Sequence, residues 1–171
     1  MPTAATAGSR SAPPAAPPGA AYAVRPARRE EAAELAALSR PFVRAGALRE
    51  RSVPLYAVRA ADFLVVRPPG GPVEGAVAVR VHPAQAGPVG VVYNFCVAGH
   101  RQGAGVGAGL LRAVLDRARA QSLGALFTAT TGSGELFLRH GFAPVAAHLA
   151  PPAWTRSLDP RRGARVLART L

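Results

Sequence analysis

The chain has 171 residues, 49% of them hydrophobic, a net charge of +12 and one cysteine. That length supports one domain with a buried core, a lone cysteine excludes an internal disulfide and suits a reducing cytoplasm, and no apolar run reaches the roughly 18–20 residues that cross a bilayer. All 21 basic residues are arginines, scattered rather than massed and without an aromatic stripe, which argues against nucleic acid and leaves a solvated arginine surface or attraction of a phosphorylated cofactor.

Residues 1–20, "MPTAATAGSRSAPPAAPPGA", read as a disordered Pro/Ala-rich leader, and 21–171 as a single domain. A short strand over Tyr22–Arg25 precedes a helix over Ala27–Arg40, with Leu35 and Leu38 on its apolar side and Glu30, Glu31 and Glu34 in its first turns. Pro41 is expected to stop that helix, leaving Phe42–Ser52 as a second short helix or an arginine-rich loop. Strands follow at Asp62–Arg67 and Val73–His82, joined through "PPGGP", and then at Val89–Val97, apolar enough to be covered on both faces.

A glycine-dense loop then opens a helix over Gly107–Gln121, whose buried stripe is Leu110, Leu111, Val114, Leu115 and Ala118. Ala125–Thr131 is a strand, Gly132–His140 a short helix, Phe142–Ala150 a strand and Ala164–Thr170 a terminal strand. The fold class is therefore α/β (α+β). Its sheet is mixed and mostly antiparallel, with one parallel strand–glycine loop–helix–strand crossover and flanking helices.

The glycines explain themselves by what they leave bare. The first turn of a helix has unpaired N–H groups and partial positive charge. Gly103, Gly105 and Gly107 clear side chains from that turn, so a phosphate can sit against it. The spacing is not the dinucleotide G-x-G-x-x-G, and no G-K-[ST] follows, so a P-loop is excluded.

"QGAGVG" (Gln102–Gly107), after the strand ending "FCV" and before the helix, resembles the Q/R-x-x-G-x-G/A signature of the GNAT superfamily of acyl-CoA N-acyltransferases. "HGF" (His140–Phe142) and the element order fit the same family. The resemblance implies an N-acetyltransferase with acetyl-CoA as co-substrate and no metal. It implies that the backbone of Gln102, Gly103, Ala104, Gly105, Val106, Gly107 and Ala108 holds the pyrophosphate. Main-chain groups of Phe95, Cys96 and Val97 would meet the pantetheine arm and polarise the thioester carbonyl. Cys96 itself is read as a core residue, because transfer in this family is usually direct.

A narrower likeness bears on the acceptor. "RPFVRAGALRERS" (Arg40–Ser52), "FTATTGSGELFLRHGFAPV" (Phe127–Val145) and "RRGARVL" (Arg161–Leu167) resemble, in order, three segments of amino-acid acetyltransferases of the N-acetylglutamate synthase type. The likeness implies an α-amine acceptor, L-glutamate first, with Arg51 and Arg162 holding carboxylates and Ser52 nearby. It also implies a place at the entry to arginine biosynthesis, in the cytoplasm. Partners are then a small amine and no membrane or nucleic acid, with a homodimer left open.

The sequence departs from that pattern in three places. Val91 stands where the subfamily commonly has a glutamate, Ala164 where it has a serine, and Phe137 where many of these enzymes have a general-acid tyrosine. Without an acid at 91, proton removal falls to water or to Glu74, His82, Tyr93 or His100. Glu74 and Tyr93, on neighbouring strands, are the catalytic candidates, and His82 is read as a strand-end cap. Two other readings stay open: a GNAT enzyme for another small amine or a protein N-terminus, and a catalytically weak acyl-CoA-binding regulatory domain.

Overall fold

In the computed structural model, residues 23–171 are described; the leader and Tyr22 lie outside the described residues. Strands β1 (Val24–Pro26), β2 (Phe63–Val66), β3 (Gly75–His82), β4 (Val89–Val97), β5 (Ala125–Thr130), β6 (Ala143–Pro144) and β7 (Arg165–Thr170) form one sheet. Its order is β1-β2-β3-β4-β5-β7-β6. Every pairing is antiparallel except β4 with β5. That parallel pair needs a crossover, and helix α3 (Val106–Ala120) supplies it.

The apolar character of β4 follows from cover on both sides. Val92 and Val97 belong to one cluster with Leu110, Leu111, Val114 and Leu115 of α3. Cys96 belongs to another, with Leu35 of helix α1 (Ala32–Arg44), Tyr56 of helix α2 (Val53–Val58) and Phe63 of β2. All five residues of the expected α3 stripe are buried.

Three expectations are corrected. First, α1 runs through Pro41 to Arg44. A helical proline frees one carbonyl four residues back. Here that residue is Ala37, which is exposed and so hydrated, while Phe42 just beyond packs against the core. Second, Phe42–Ser52 holds no helix of its own: Phe42–Arg44 finish α1, the rest is the loop that was the other expectation, and an unexpected helix, α2, follows. Its β-branched "VPLYAV" carries little helix propensity, but Pro54 suits a first turn and buried Tyr56 anchors it. Third, β6 is two residues long. Pro144 cannot continue a ladder, and Ala147–Leu149 and a short helix, Pro152–Thr155, turn the chain back over the sheet.

The start of α1 is tied down by charge. Buried Glu31 accepts from both Arg25 guanidinium nitrogens at 2.9 and 2.6 Å, from Arg28 N–H at 2.8 Å and from Arg67 at 3.1 Å. These contacts, led by the Arg25 hydrogen bonds, hold its carboxyl at about 2. A depressed folded value means the stabilisation is present above the ordinary carboxyl range and is lost as pH falls towards about 2. Urea unfolding from pH 7 to pH 2 is therefore expected to show a loss of stability below about pH 4.5 that is largely absent in Glu31→Gln, which starts less stable at pH 7.

Candidate active site

Between β4 and β5 the sheet comes apart. The pairing consists of Gly90 with Leu126 and Val91 with Phe127. One residue on, the Thr128 hydroxyl takes the place of a backbone partner, donating to the Val92 carbonyl at 3.1 Å. From Tyr93 to Val97 no β5 residue pairs with β4. The strand is also bent there, because Asn94 and Phe95 together oppose Val77 of β3, a bulge. Asn94 takes φ +50°, a left-handed value tolerated by asparagine better than by most residues.

The bulge turns Asn94 inward, where it is buried. Its Oδ1 accepts from Tyr56 OH and from Arg51 Nη1, each at 3.1 Å, and its Nδ2 donates to Ser39 Oγ at 3.0 Å. This network fixes both the bend of β4 and the position of Arg51.

At the end of β4 the chain makes a 3₁₀ turn, Gly99–Arg101, and then the glycine loop. Gln102 Nε2 donates to the Val97 carbonyl at 3.1 Å, folding the loop back on the strand. Gly103 and Gly105 have φ +79° and +81°, and Gly105 caps α3. A Cβ at either would meet nothing within 4 Å, so the space in front of them is open. Gly109 N–H makes a bond back to the Gly105 carbonyl at 2.9 Å. The N–H groups of Val106, Gly107 and Ala108 come before it, in the turn where helix donors lack intrahelical acceptors. This open N-terminus of a 15-residue helix is the kind of turn that can cradle an anion such as a pyrophosphate.

Beside the fork lies a cleft of about 650 Å³, lined from β3, β4 and β5, from the α1–α2 loop and from Ala153–Ala164. Arg49, Arg51, Arg59, Arg80 and Arg162 all line it. Arg162 Nη2 donates to the Gly46 carbonyl at 2.6 Å, joining the C-terminal segment to the α1–α2 loop. Arg51 and Arg80 both lie over the Tyr93 ring, their guanidinium carbons 5.2 and 5.1 Å from its centre. The Tyr93 OH donates to Asp62 Oδ2 at 2.6 Å and accepts from Arg80 Nη2 at 3.2 Å. Burial, then Asp62, pushes the phenol up to about 12, so Tyr93 keeps its proton at neutral pH and positions the two arginines.

The structure brings Arg51, Arg162, Tyr93 and Phe95 to the cleft. Ser52 is exposed at the start of α2 and does not line it. Glu74 does not line it either. Its carboxylate pairs with His100 Nε2 at 3.0 Å and Arg101 Nε at 3.1 Å, and its carbonyl accepts from Ala98 N–H at 2.8 Å, so it braces the turn that leads to the cradle. Cys96 points to the α1 side, with Ser39 Oγ 3.9 Å away; burial raises its thiol to about 12, which leaves no thiolate for nucleophilic work. His82 ends β3, but its side chain makes no capping hydrogen bond to another described residue; the residue lines the cleft.

Val91 is buried in the cleft floor and Ala164 lies in its wall. Phe137 packs edge-on between Phe95 and Phe142, with ring centres 5.5 and 5.3 Å apart, and has no proton to give. Residues the sequence reading missed are Asn94, Tyr56, Asp62 and Arg80. A tyrosine–asparagine pair inside an otherwise apolar strand was their local signal. Among the described residues, no group of three or more His, Cys, Asp or Glu is placed to hold a metal, and no helix is long and apolar enough to cross a membrane.

Fold and site together define an α/β domain with a phosphate-type cradle beside a cationic cleft at a strand fork. The chain belongs to the acetyltransferase (GNAT) family, whose model matches residues 30–142. No curated protein matches the chain significantly. Among solved structures it is similar to N-acetylglutamate synthase from Neisseria gonorrhoeae, complexed with coenzyme A and N-acetyl-glutamate. That match has 27% identity and a TM-score of 0.79, covering 87% of this chain and 35% of the synthase chain. The chain thus spans about a third of that neighbour's length. A Mycobacterium tuberculosis protein in complex with CoA matches at 22% identity and TM-score 0.74, over 87% of this chain and 99% of its own. A GNAT-family acetyltransferase from Staphylococcus aureus matches at 14% and 0.71, over 88% and 99%. The last two likenesses are of fold.

Proposed function

We propose that the chain transfers the acetyl group of acetyl-CoA directly to the α-amine of an amino acid, L-glutamate first, as an early cytoplasmic step towards arginine. The observation that carries this is the joining, at one strand fork, of a naked helix N-terminus to a cleft lined by five arginines. Gln102 to Ala108 would hold the pyrophosphate, and main-chain groups of Phe95, Cys96 and Val97, free of β5, would lie along the pantetheine arm. Bound acetyl-CoA supplies an activated thioester. The protein's part is to orient it, to fix the acceptor carboxylates with Arg51 and Arg162, and to exclude competing water. Support for glutamate comes from the N-acetyl-glutamate bound to the Neisseria gonorrhoeae neighbour and from the cationic cleft.

Thiol release from acetyl-CoA across a panel of amino acids, other small amines and peptides tests this reading. Fastest turnover with L-glutamate is the expected result. Faster turnover of another amine would reject the acceptor and keep the enzyme. Val91, a valine in the cleft floor, supports a second reading, an acyl-CoA-binding regulatory domain. Stabilisation by acetyl-CoA without turnover of any amine would favour it.

A further inference from the structure

An amine enters as ammonium and must lose a proton before it can attack. The groups in the cleft that accept one are few. The arginines stay charged, and Tyr93 is protonated and already donating to Asp62. Asp159 is exposed, and its carboxylate caps the turn Pro160–Arg162 by accepting from Arg161 N–H at 3.0 Å. His82 is left. It is half-buried, it lines the cleft, and its side chain carries no hydrogen bond to another described residue.

Its place in the sheet matters more than its chemistry alone. Arg80 pairs directly with Val91, and His82 with Val89. Side chains two apart on a strand share a face, and antiparallel partners point the same way. His82 is therefore the diagonal neighbour of Val91, on the same face of the sheet. We infer that His82, one strand over on β3, is the general base for the acceptor amine. The inference rests on the acetyltransfer reading above.

Protons and electrons balance as follows. The ammonium gives one proton to a ring nitrogen of His82 and thence to solvent. The freed lone pair forms the N–C bond as the C–S bond breaks. Of the other two nitrogen protons, one ends on the departing sulfur and one stays on the amide. The surroundings suit this role. Arg80 flanks His82 on its own strand, Tyr93 lies further along β4, and Arg162 and Asp159 face the cleft from the C-terminal segment. Burial, then the charge of Arg80, holds the imidazole below its ordinary value, neutral and able to accept at pH 7. The positive cleft likewise favours the neutral form of the amine.

The test uses the acceptor that the wild-type chain turns over fastest. In His82→Gln, kcat at pH 7 is expected to fall by about 100-fold and the acid limb of the kcat profile to disappear, with stabilisation by acetyl-CoA unchanged. Added imidazole should restore part of the rate in His82→Ala and do nothing to the wild type, a readout that a packing role would not give. By NMR, without acetyl-CoA, the His82 ring should titrate below about 6.5 and respond to the acceptor. An active wild type with an unchanged kcat and acid limb in His82→Gln overturns the assignment alone. A wild type that binds acetyl-CoA and acetylates no amine overturns the acetyltransfer reading, and this assignment with it.

Discussion

Gly105→Glu is expected to remove stabilisation by acetyl-CoA. At ligand about 100 times the dissociation constant, the wild type should gain roughly 2.7 kcal/mol, read as a rise in Tm, and the variant none. The argument has two parts of unequal size. Gly105 caps α3 in the left-handed region, where a residue with a Cβ costs about 1–2 kcal/mol. That strain is tolerable, because the new Cβ meets no atom within 4 Å. The larger part is electrostatic: a carboxylate would stand at the bare helix N-terminus, where the pyrophosphate is proposed to sit. Gly105→Ala, with the strain and without the charge, should keep most of the gain. Gly87→Glu, at another open left-handed glycine in the β3–β4 turn, should keep all of it. A Gly105→Glu variant that folds and is stabilised as fully as the wild type would place the diphosphate elsewhere.

The loop and the helix that opens from it were legible in the sequence for a physical reason. Glycine density, the strand before it and the helical stripe after it are all local, and local propensity and period set them. Five stripe residues from Leu110 to Ala118 are buried as expected, and β4 spans Val89–Val97 as read. What failed was decided by tertiary context. Pro41 is a strong local stop, overridden because Phe42 gains a core partner one residue later. Glu74 is near β4 in the chain's pairing order, yet it lies just before β3 begins, at the cradle end, and its charge is spent on His100 and Arg101.

The bulge is the deeper case. A one-residue insertion in a strand changes which side chains share a face. At Asn94 it brings a polar residue into the α1 side beside Ser39, Tyr56 and Arg51. No periodicity within "VGVVYNFCV" announces it. The irregularity lies on β4 just beyond its last residues paired with β5, so the fork and the setting of Arg51 fall on the same stretch of one strand. Arg51 is the only one of the three sequence-named substrate residues bound into that network; Arg162 reaches the cleft from the other side, and Ser52 stays outside it.

Arg51→Ala is accordingly expected to raise the acceptor KM about 10- to 100-fold and to leave the acetyl-CoA KM within about twofold. A hydrogen bond to a charged group contributes about 1.5–3 kcal/mol, and 1.4 kcal/mol is tenfold in an equilibrium. Loss of fold is a poor explanation for such a split. Asn94 Oδ1 would still accept from Tyr56 OH at 3.1 Å, and Tyr93 would keep Arg80 on its ring. Arg51→Lys should fall between the two, because it keeps the charge and lacks the planar fork that grips a carboxylate at two points. Acceptors with one carboxylate sharpen the reading. If Arg51 grips the side-chain carboxylate of glutamate, the variant should discriminate poorly between glutamate and glutamine. If it grips the α-carboxylate, both should weaken together. Equal rises in both KM values would mean that Arg51 shapes the cleft through Asn94 and Tyr93 and does not touch the acceptor.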